Sequence, residues 1–178
     1  TDSGLGEYRP LLRGLNRPTR YVPFRHSGTD YAVLCEYGIS KGKITLYREG
    51  ESVLVLPMSG AIDCRVLDTD ADSQPEVYVL VAQEHECLLR FTMKPGGGID
   101  QSVLIKKQPG WGFTAMEMLD VDGDGAVNVI LSNGDTTEFR SNPRQYHGIR
   151  IYDLGADDLA EKQFIPAHGA MDFTILDA

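Results

Sequence analysis

The stretch Asp120-Val-Asp-Gly-Asp-Gly-Ala-Val-Asn128 decides how this chain is interpreted. Side chains that carry oxygen stand at its positions 1, 3, 5 and 9, namely Asp120, Asp122, Asp124 and Asn128. Gly123 and Gly125 lie between them, where a backbone that wraps around an ion needs positive φ. Hard oxygen ligands at this spacing suit Ca²⁺, which takes about six to eight oxygens. The stretch therefore predicts a calcium-binding loop.

The main alternative for this stretch is an EF-hand, which also begins D-x-D-x-D-G. An EF-hand requires a bidentate Glu at position 12 and a helix on each side. Position 12 is Leu131, within the apolar, β-branched run 128–133, which is typical of a strand. The preceding run 113–119 fits either a strand or a short helix. The missing glutamate and the following strand both argue against an EF-hand. A plain turn without an ion stays open, because Asp and Gly favour turns by themselves.

A second stretch repeats the same pattern earlier in the chain. Asp68-Thr-Asp-Ala-Asp-Ser-Gln-Pro-Glu76 has carboxylates at positions 1, 3, 5 and 9 and begins 52 positions before Asp120. Clustered carboxylates repel one another unless a cation neutralises them, so the repetition favours an ion over a plain turn. An eroded third copy at 23–31 lacks suitable ligands, and a fourth copy begins at Asp177.

Short β-like runs fill the intervals between these loops, separated by the turn-forming residues Gly, Pro, Asn and Asp. Twelve strands are predicted, at 31–37, 43–48, 52–57, 61–67, 76–82, 87–93, 102–106, 112–119, 128–133, 148–154, 162–167 and 171–176. Four strands per unit, with a period near fifty residues, describe the blades of a β-propeller. We therefore expect an all-β chain, a β-propeller of four-stranded antiparallel blades, with units at 23–67, 68–119 and 120–176.

The pattern resembles the FG-GAP/VCBS-type repeats of integrin-like β-propellers. The stretch 120–128 fits that family's D-x-D-G-D-G-x-x-[DN] signature, and the stretches 131–135 and 145–152 resemble a bacterial branch of the family. The resemblance implies Ca²⁺ held by Asp120, Asp122, Asp124, Asn128 and the carbonyl of Ala126. In the earlier loop it implies Asp68, Asp70, Asp72, Glu76 and the carbonyl of Gln74. That loop has Ala71 and Ser73 where the family has glycines, so positive φ there would carry strain.

Three units are too few to close a ring, because propellers typically have about four to eight blades. We expect the chain to be part of a larger propeller, of seven blades by analogy with the family, with 1–22 coming from a preceding blade or linker. If the chain is complete, copies should associate to cover its open ends. The resemblance also implies an extracytoplasmic location.

Composition sets further limits on function. The net charge of −9 argues against nucleic acid as a partner, and no apolar run is long enough for a membrane-spanning helix. One local exception is a basic N-terminal segment that contains Arg9, Arg13, Arg17, Arg20 and Arg25. Cys35, Cys64 and Cys87 leave the pairing of any disulfide open, and a lone Cys87 near His85 lacks the ligand spacing of a zinc site.

No sequence motif of a known catalytic type is present. His147 and Trp111 are the residues outside the acidic loops with a potential role in binding, although each also fits a structural role. We therefore expect a non-catalytic, calcium-stabilised module that binds a protein or glycan partner. The alternative is part of a propeller enzyme, a lyase or hydrolase, with its active site in the central channel; fold does not decide between them.

Overall fold

The computed structural model describes residues 12–38, 40–94, 98–134 and 144–176. Within these ranges the chain forms twelve strands and no helix, arranged as three four-stranded antiparallel sheets. Sheet 1 contains β1 (Pro18–His26), β2 (Thr29–Glu36), β3 (Lys43–Arg48) and β4 (Glu51–Pro57). Sheet 2 contains β5 (Ala61–Leu67), β6 (Glu76–Val81), β7 (Cys87–Met93) and β8 (Ile99–Lys106). Sheet 3 contains β9 (Phe113–Leu119), β10 (Asn128–Asn133), β11 (Gly148–Leu154) and β12 (Leu159–Pro166).

The all-β class and the blade-like, four-stranded antiparallel sheets predicted from the sequence are confirmed. In each sheet the strands follow one another in chain order, so every neighbouring pair is joined by a direct connection. In the part of the chain that the structure describes, no helix is long and apolar enough to span a membrane. The predicted residues Arg9, Asp135 and Asp177 lie outside the described ranges.

Sheet 2 lies between the other two sheets and contributes to both hydrophobic cores. Alternate residues of β6 face opposite sides, as the two-residue period of a strand requires. Val77, Val79 and Val81 pack into the core shared with sheet 1, whereas Tyr78 and Leu80 pack into the core shared with sheet 3. A strand buried on both faces explains why residues 77–82 form a continuous apolar run in the sequence.

The sheets adjoin one another at their first strands. β5 lies against β1 on one side and against β9 on the other. The fourth strands β4 and β12 are mainly exposed, and they form the far edges of sheets 1 and 3. The three sheets therefore stack face to face, with their first strands together and their fourth strands apart.

The boundaries of the sheets are shifted by one strand from those of the units predicted from the sequence. The predicted units begin at each acidic loop, so the strand at 61–67 belongs to unit 23–67. In the structure that strand is β5 and pairs with β6, and β9 likewise pairs with β10 instead of with the strands before it. Each acidic loop consequently lies inside a sheet, between its first and second strands.

The eroded loop expected at 23–31 is not a loop. β1 continues to His26 and β2 begins at Thr29, so only Ser27 and Gly28 connect them. Both have positive φ, 49° and 79°, which is the signature of a two-residue hairpin turn of type I′. The position nevertheless corresponds to that of the acidic loops, because it joins the first and second strands of its sheet.

The strand expected at 171–176 is not formed. In the described part of the chain, these residues pair with none of the twelve strands. Its start nonetheless resembles the start of β5. The Asp172 Oδ1 accepts a hydrogen bond from its neighbour Phe173 N at 2.8 Å, as the Asp63 Oδ1 does from Cys64 N at 2.8 Å. The sequences agree as well, Ala-Ile-Asp-Cys-Arg-Val-Leu-Asp at 61–68 and Ala-Met-Asp-Phe-Thr-Ile-Leu-Asp at 170–177.

Candidate metal centre

The two acidic stretches occupy equivalent places in successive sheets. The first acidic loop (68–76) joins β5 to β6, and the second acidic loop (120–128) joins β9 to β10. Each begins directly after the first strand of its sheet and ends with the first residue of the second strand. The last position of each loop, Glu76 or Asn128, is therefore fixed by the ladder of a central, buried strand.

In the second acidic loop, Asp120, Asp122 and Asp124 each offer a carboxylate oxygen, and these oxygens lie within 4.8 Å of one another. Asp120 accepts hydrogen bonds from Gly123 N at 2.7 Å and from Gly125 N at 2.9 Å. Both glycines have the positive φ expected from the sequence, 74° and 88°. The loop thus curls around the first carboxylate and directs three acidic side chains to one point.

The first acidic loop has the same internal bonding. Asp68 accepts a hydrogen bond from Ser73 N at 3.0 Å, and Asp72 accepts one from Gln74 N at 2.7 Å. Ala71 and Ser73 stand where the second loop has glycines, and they have positive φ, 60° and 68°. An L side chain is disfavoured there by about 1–2 kcal/mol, so the loop keeps this shape despite local strain.

The first acidic loop contains a buried carboxylate, that of Glu76. Its side chain is buried, with 3% exposure, and its Oε2 accepts hydrogen bonds from Thr69 N at 2.9 Å and Thr69 Oγ1 at 2.8 Å. Its Oε1 is buried and has no hydrogen-bond partner among the described residues. Oxygens of Glu76, Asp68 and Asp70 lie within 4.8 Å of one another. A buried carboxylate oxygen is costly unless it is paired or coordinates a cation, so this donor set fits a metal ion.

The second acidic loop contains a cation from the protein itself. The Lys162 ammonium group, on β12, contacts the Asp122 carboxylate and lies 3.3 Å from Asp153 Oδ1. The hydrogen bond from Lys162 lowers the pKa of Asp122, and the same bond raises the pKa of Lys162. Lys162 therefore competes with any metal ion for one of the three clustered carboxylates.

Not all of the expected ligands come together. Asp72 is outside the group formed by Asp68, Asp70 and Glu76. Asn128 is buried, and its Oδ1 accepts a hydrogen bond from Val121 N at 3.1 Å, which matches the bond from Thr69 N to Glu76. The amides of Gln74 and Ala126 donate to the preceding aspartates, Asp72 and Asp124. Among the described residues, the hydrogen bonds of Gln74 and Ala126 at these positions involve their amides, and the ligand role expected of their carbonyls stays a prediction.

Two residues near the second loop were missed by the sequence interpretation. Lys162 lies 40 positions from its partner Asp122. Asp153 is the cross-strand neighbour of Asn128 and accepts a hydrogen bond from its Nδ2 at 2.9 Å. No local pattern points to either residue, because both reach the loop through the pairing of strands that follow it.

The residues proposed outside the loops have structural contacts. The Trp111 ring stacks on Tyr146, with centroids 4.6 Å apart, and Arg150 lies over the Trp111 ring at 4.9 Å. His147 is buried, and its Nδ1 accepts a hydrogen bond from Arg144 N at 3.3 Å. Burial raises the pKa of Cys87 to about 11, so its thiol stays protonated at neutral pH.

The charged side chains on the first strands link neighbouring sheets. Arg65 on β5 makes two hydrogen bonds with Glu117 on β9, from Nε at 3.2 Å and from Nη2 at 2.6 Å. Its Nη1 donates to Asp63 Oδ1 at 2.5 Å, and Arg20 on β1 lies 3.2 Å from the same carboxylate oxygen. These four residues form a chain of ion pairs across all three sheets. Their side chains are thereby engaged in holding the stack together.

No protein-family model matches the chain, and a search of curated proteins finds no significant match. The interpretation of the acidic loops therefore depends on their geometry.

Proposed function

We propose that this chain is a calcium-stabilised segment of a β-propeller of the FG-GAP/VCBS type. One observation carries the proposal. Equivalent acidic loops occur in successive sheets, and one of them includes a buried carboxylate, Glu76, with an oxygen that has no hydrogen-bond partner in the described part of the chain. Coordination by Ca²⁺ would satisfy that oxygen and neutralise the neighbouring aspartates. Asp68, Asp70 and Glu76 would hold one ion, and Asp120, Asp122, Asp124 and Asn128 a second.

The arrangement of the sheets supports the propeller part of the proposal. Blades of a propeller pack face to face with their first strands near the central axis, and these three sheets likewise pack face to face with their first strands in contact. The resemblance of 170–177 to 61–68 in sequence supports a further repeat of the same type at this position. Further blades of one polypeptide, seven in total by analogy, or a second copy of the chain, would complete the ring.

Calcium in this position has a structural role, and we propose that the module is non-catalytic. Each ion would tie the first strand of a sheet to the second and stabilise the folded state by mass action. Arg20, Asp63, Arg65 and Glu117 on the first strands are engaged in a chain of ion pairs that links the sheets, and they give the enzymatic alternative no support. Exposed loops on a rigid stack suit the binding of a protein or glycan partner in an extracytoplasmic setting.

Calcium binding can be tested by thermal unfolding of the full chain in excess calcium, in excess magnesium and in chelator. Calcium at one hundred times its dissociation constant stabilises a protein by about 2.7 kcal/mol per site, so the melting temperature should rise by about 5–10 °C for each loop that binds an ion. Magnesium should give a smaller rise, because it demands a stricter octahedral geometry. Equal melting temperatures in calcium and in chelator would exclude calcium from both loops.

Two variants assign the effect to the loops. Glu76→Gln should lower the melting temperature in calcium but not in chelator, because it removes a ligand and also removes an unpaired buried charge. Asp120→Asn should remove the site in the second loop, and titration calorimetry should detect one ion fewer in each variant. Glu51→Gln, which changes an exposed carboxylate on β4, is the matched control and should leave calcium binding unchanged.

A further inference from the structure

A cleft opens between sheets 1 and 2 beside the first acidic loop. Its volume is about 600 Å³, which lies within the range of small-molecule sites, about 300–1,000 Å³. Sheet 1 contributes the β1–β2 hairpin and the end of β3 to its walls. Sheet 2 contributes Gln74 of the acidic loop together with residues at the end of β7 and the start of β8. The cleft is therefore enclosed by elements of two sheets.

The floor of the cleft is apolar and is formed by Leu46 of β3, Met93 of β7 and Ile99 of β8. Tyr31 forms part of the wall, and its ring stacks on Phe24 with centroids 5.3 Å apart. The three floor residues also line an adjoining cavity of about 20 Å³, whose other described lining residues are Val33, Ile44, Leu54, Val77 and Phe91. A cavity of this size has room for one small group, and an apolar lining keeps it dry. The floor therefore suits the end of a hydrocarbon chain.

Backbone hydrogen bonds define equivalent positions in sheets 1 and 2. In both sheets the residue after the second strand donates its amide to the residue before the first strand, Tyr37 to Arg17 at 3.0 Å and Ala82 to Gly60 at 2.8 Å. At the same distance from these amides along the second strand, sheet 1 has Val33 and sheet 2 has Tyr78. Their cross-strand partners on the third strand are Leu46 and Arg90. A small apolar pair in sheet 1 thus occupies the position of a large polar pair in sheet 2.

The large pair closes the corresponding space between sheets 2 and 3. Tyr78 is buried, and its hydroxyl is hydrogen-bonded to the Thr69 hydroxyl at 2.7 Å. Arg90 Nη2 lies 3.5 Å from Asp157 Oδ1 in the β11–β12 connection, so this side chain reaches from sheet 2 to sheet 3. The apolar pair of sheet 1 is shorter and cannot make polar contacts of this kind. This difference in side chains explains why a cleft remains between sheets 1 and 2.

The mouth of the cleft carries positive charge, although the net charge of the chain is −9. Arg48 is exposed at the end of β3, and His26 and Lys94 also line the cleft. Lys94 is already paired with Asp100, whose Oδ1 lies 2.7 Å from the ammonium group. None of the described residues that line the cleft is acidic. Arg48 therefore places one cation above an apolar floor, which suits a ligand with a single negative charge.

We propose that this cleft binds an aliphatic carboxylate, with the hydrocarbon chain on the apolar floor and the carboxylate at Arg48. A guanidinium group can donate two parallel hydrogen bonds to a carboxylate. The chain removes apolar surface of the floor from water, and this burial supplies most of the affinity. The site requires neither calcium nor the closure of a propeller, so it is independent of the function proposed above.

Titration calorimetry of the full chain with hexanoate, octanoate and decanoate tests the apolar part of the site. Each methylene group that becomes buried should tighten binding by about two- to four-fold. Decanol, which has the same chain without the charge, should bind about ten-fold more weakly than decanoate. The titrations are made in chelator, which prevents calcium carboxylates from precipitating and separates the result from the calcium proposal. An affinity that does not rise with chain length, or equal binding of decanol and decanoate, would refute the proposal.

A pair of arginine variants tests the position of the carboxylate. Arg48→Gln should weaken decanoate binding by about ten-fold and leave decanol binding unchanged. Arg25→Gln is the matched control, because it removes the same charge from an exposed residue of sheet 1 that lines a different cavity. The control should bind decanoate like the parent chain. Equal affinities of the two variants for decanoate would contradict a site at Arg48.

Methyl NMR spectra of the unmodified sequence locate the hydrocarbon chain without a substitution. Addition of decanoate should shift the methyl signals of Leu46 and Ile99. The signals of Val103 should stay in place, because this residue is 48% exposed on β8 and does not line the cleft. Unshifted Leu46 and Ile99 signals at saturating decanoate would place the ligand elsewhere and overturn the proposal.

Discussion

At the scale of single residues, Lys162 is the side chain that most affects the proposed second calcium site. It contacts Asp122 and lies near Asp153, so an ion can use the full set of carboxylates only if the ammonium group withdraws. Lys162→Gln should therefore strengthen calcium binding at the second loop by about two- to five-fold, the range of an exposed ion pair.

Titration calorimetry in the Glu76→Gln background isolates the second loop for this measurement. Lys41→Gln is the matched control, because it removes the same charge from an exposed position in the β2–β3 connection of sheet 1. The control should change the affinity much less. An unchanged affinity in Lys162→Gln would mean that the lysine leaves the loop in solution.

At the scale of elements, the two acidic loops share one shape but differ in how well their sequences fit it. Ala71 and Ser73 have positive φ at the positions of Gly123 and Gly125. Ala71→Gly and Ser73→Gly should each stabilise the protein by about 0.5–1 kcal/mol, because relief of strain exceeds the entropy that glycine adds to the unfolded chain.

Urea unfolding in chelator measures this stabilisation without a contribution from calcium. Gly123→Ala is the reciprocal control and should destabilise by a similar amount. Among the described residues other than its two chain neighbours, no atom lies within 4 Å of a Cβ added at Gly123, so its effect comes from the backbone alone. Destabilisation by both glycine substitutions would show that the loop has a different shape in solution.

Among the elements, several strands could be predicted from the sequence. β3, β5, β7, β10 and β11 have their predicted bounds, because turn-forming residues border each run. β1 was missed because Pro18 and Pro23 interrupt its pattern; proline is tolerated there since β1 is an edge strand. The loop at 120–128 was visible because its ligands are close in sequence. Lys162 could not be predicted as a neighbour of this loop, because it reaches the loop only through the pairing of strands that follow it.

At the scale of the whole molecule, sheets 1 and 3 each pack one face against sheet 2. Sheet 1 exposes apolar residues on its outer side, including Val53 and Val55, which are about half exposed. On sheet 3, Ile165 is 41% exposed, and Met171 in the segment after β12 is 59% exposed. In a propeller such faces are covered by the neighbouring blades. The 178-residue chain should therefore self-associate at micromolar concentration when it is produced by itself.

Analytical ultracentrifugation of paired variants tests this expectation. Val55→Lys places a charge on the outer face of sheet 1 and should shift the protein toward monomer, because an unpaired charge in an apolar interface is costly. Val103→Lys is the matched control, since Val103 is 48% exposed compared with 50% for Val55 but lies on sheet 2, which is packed on both sides. The control should associate like the parent chain. A monomeric parent, or an equal loss of association in both variants, would show that the outer face of sheet 1 is not a surface for packing further sheets.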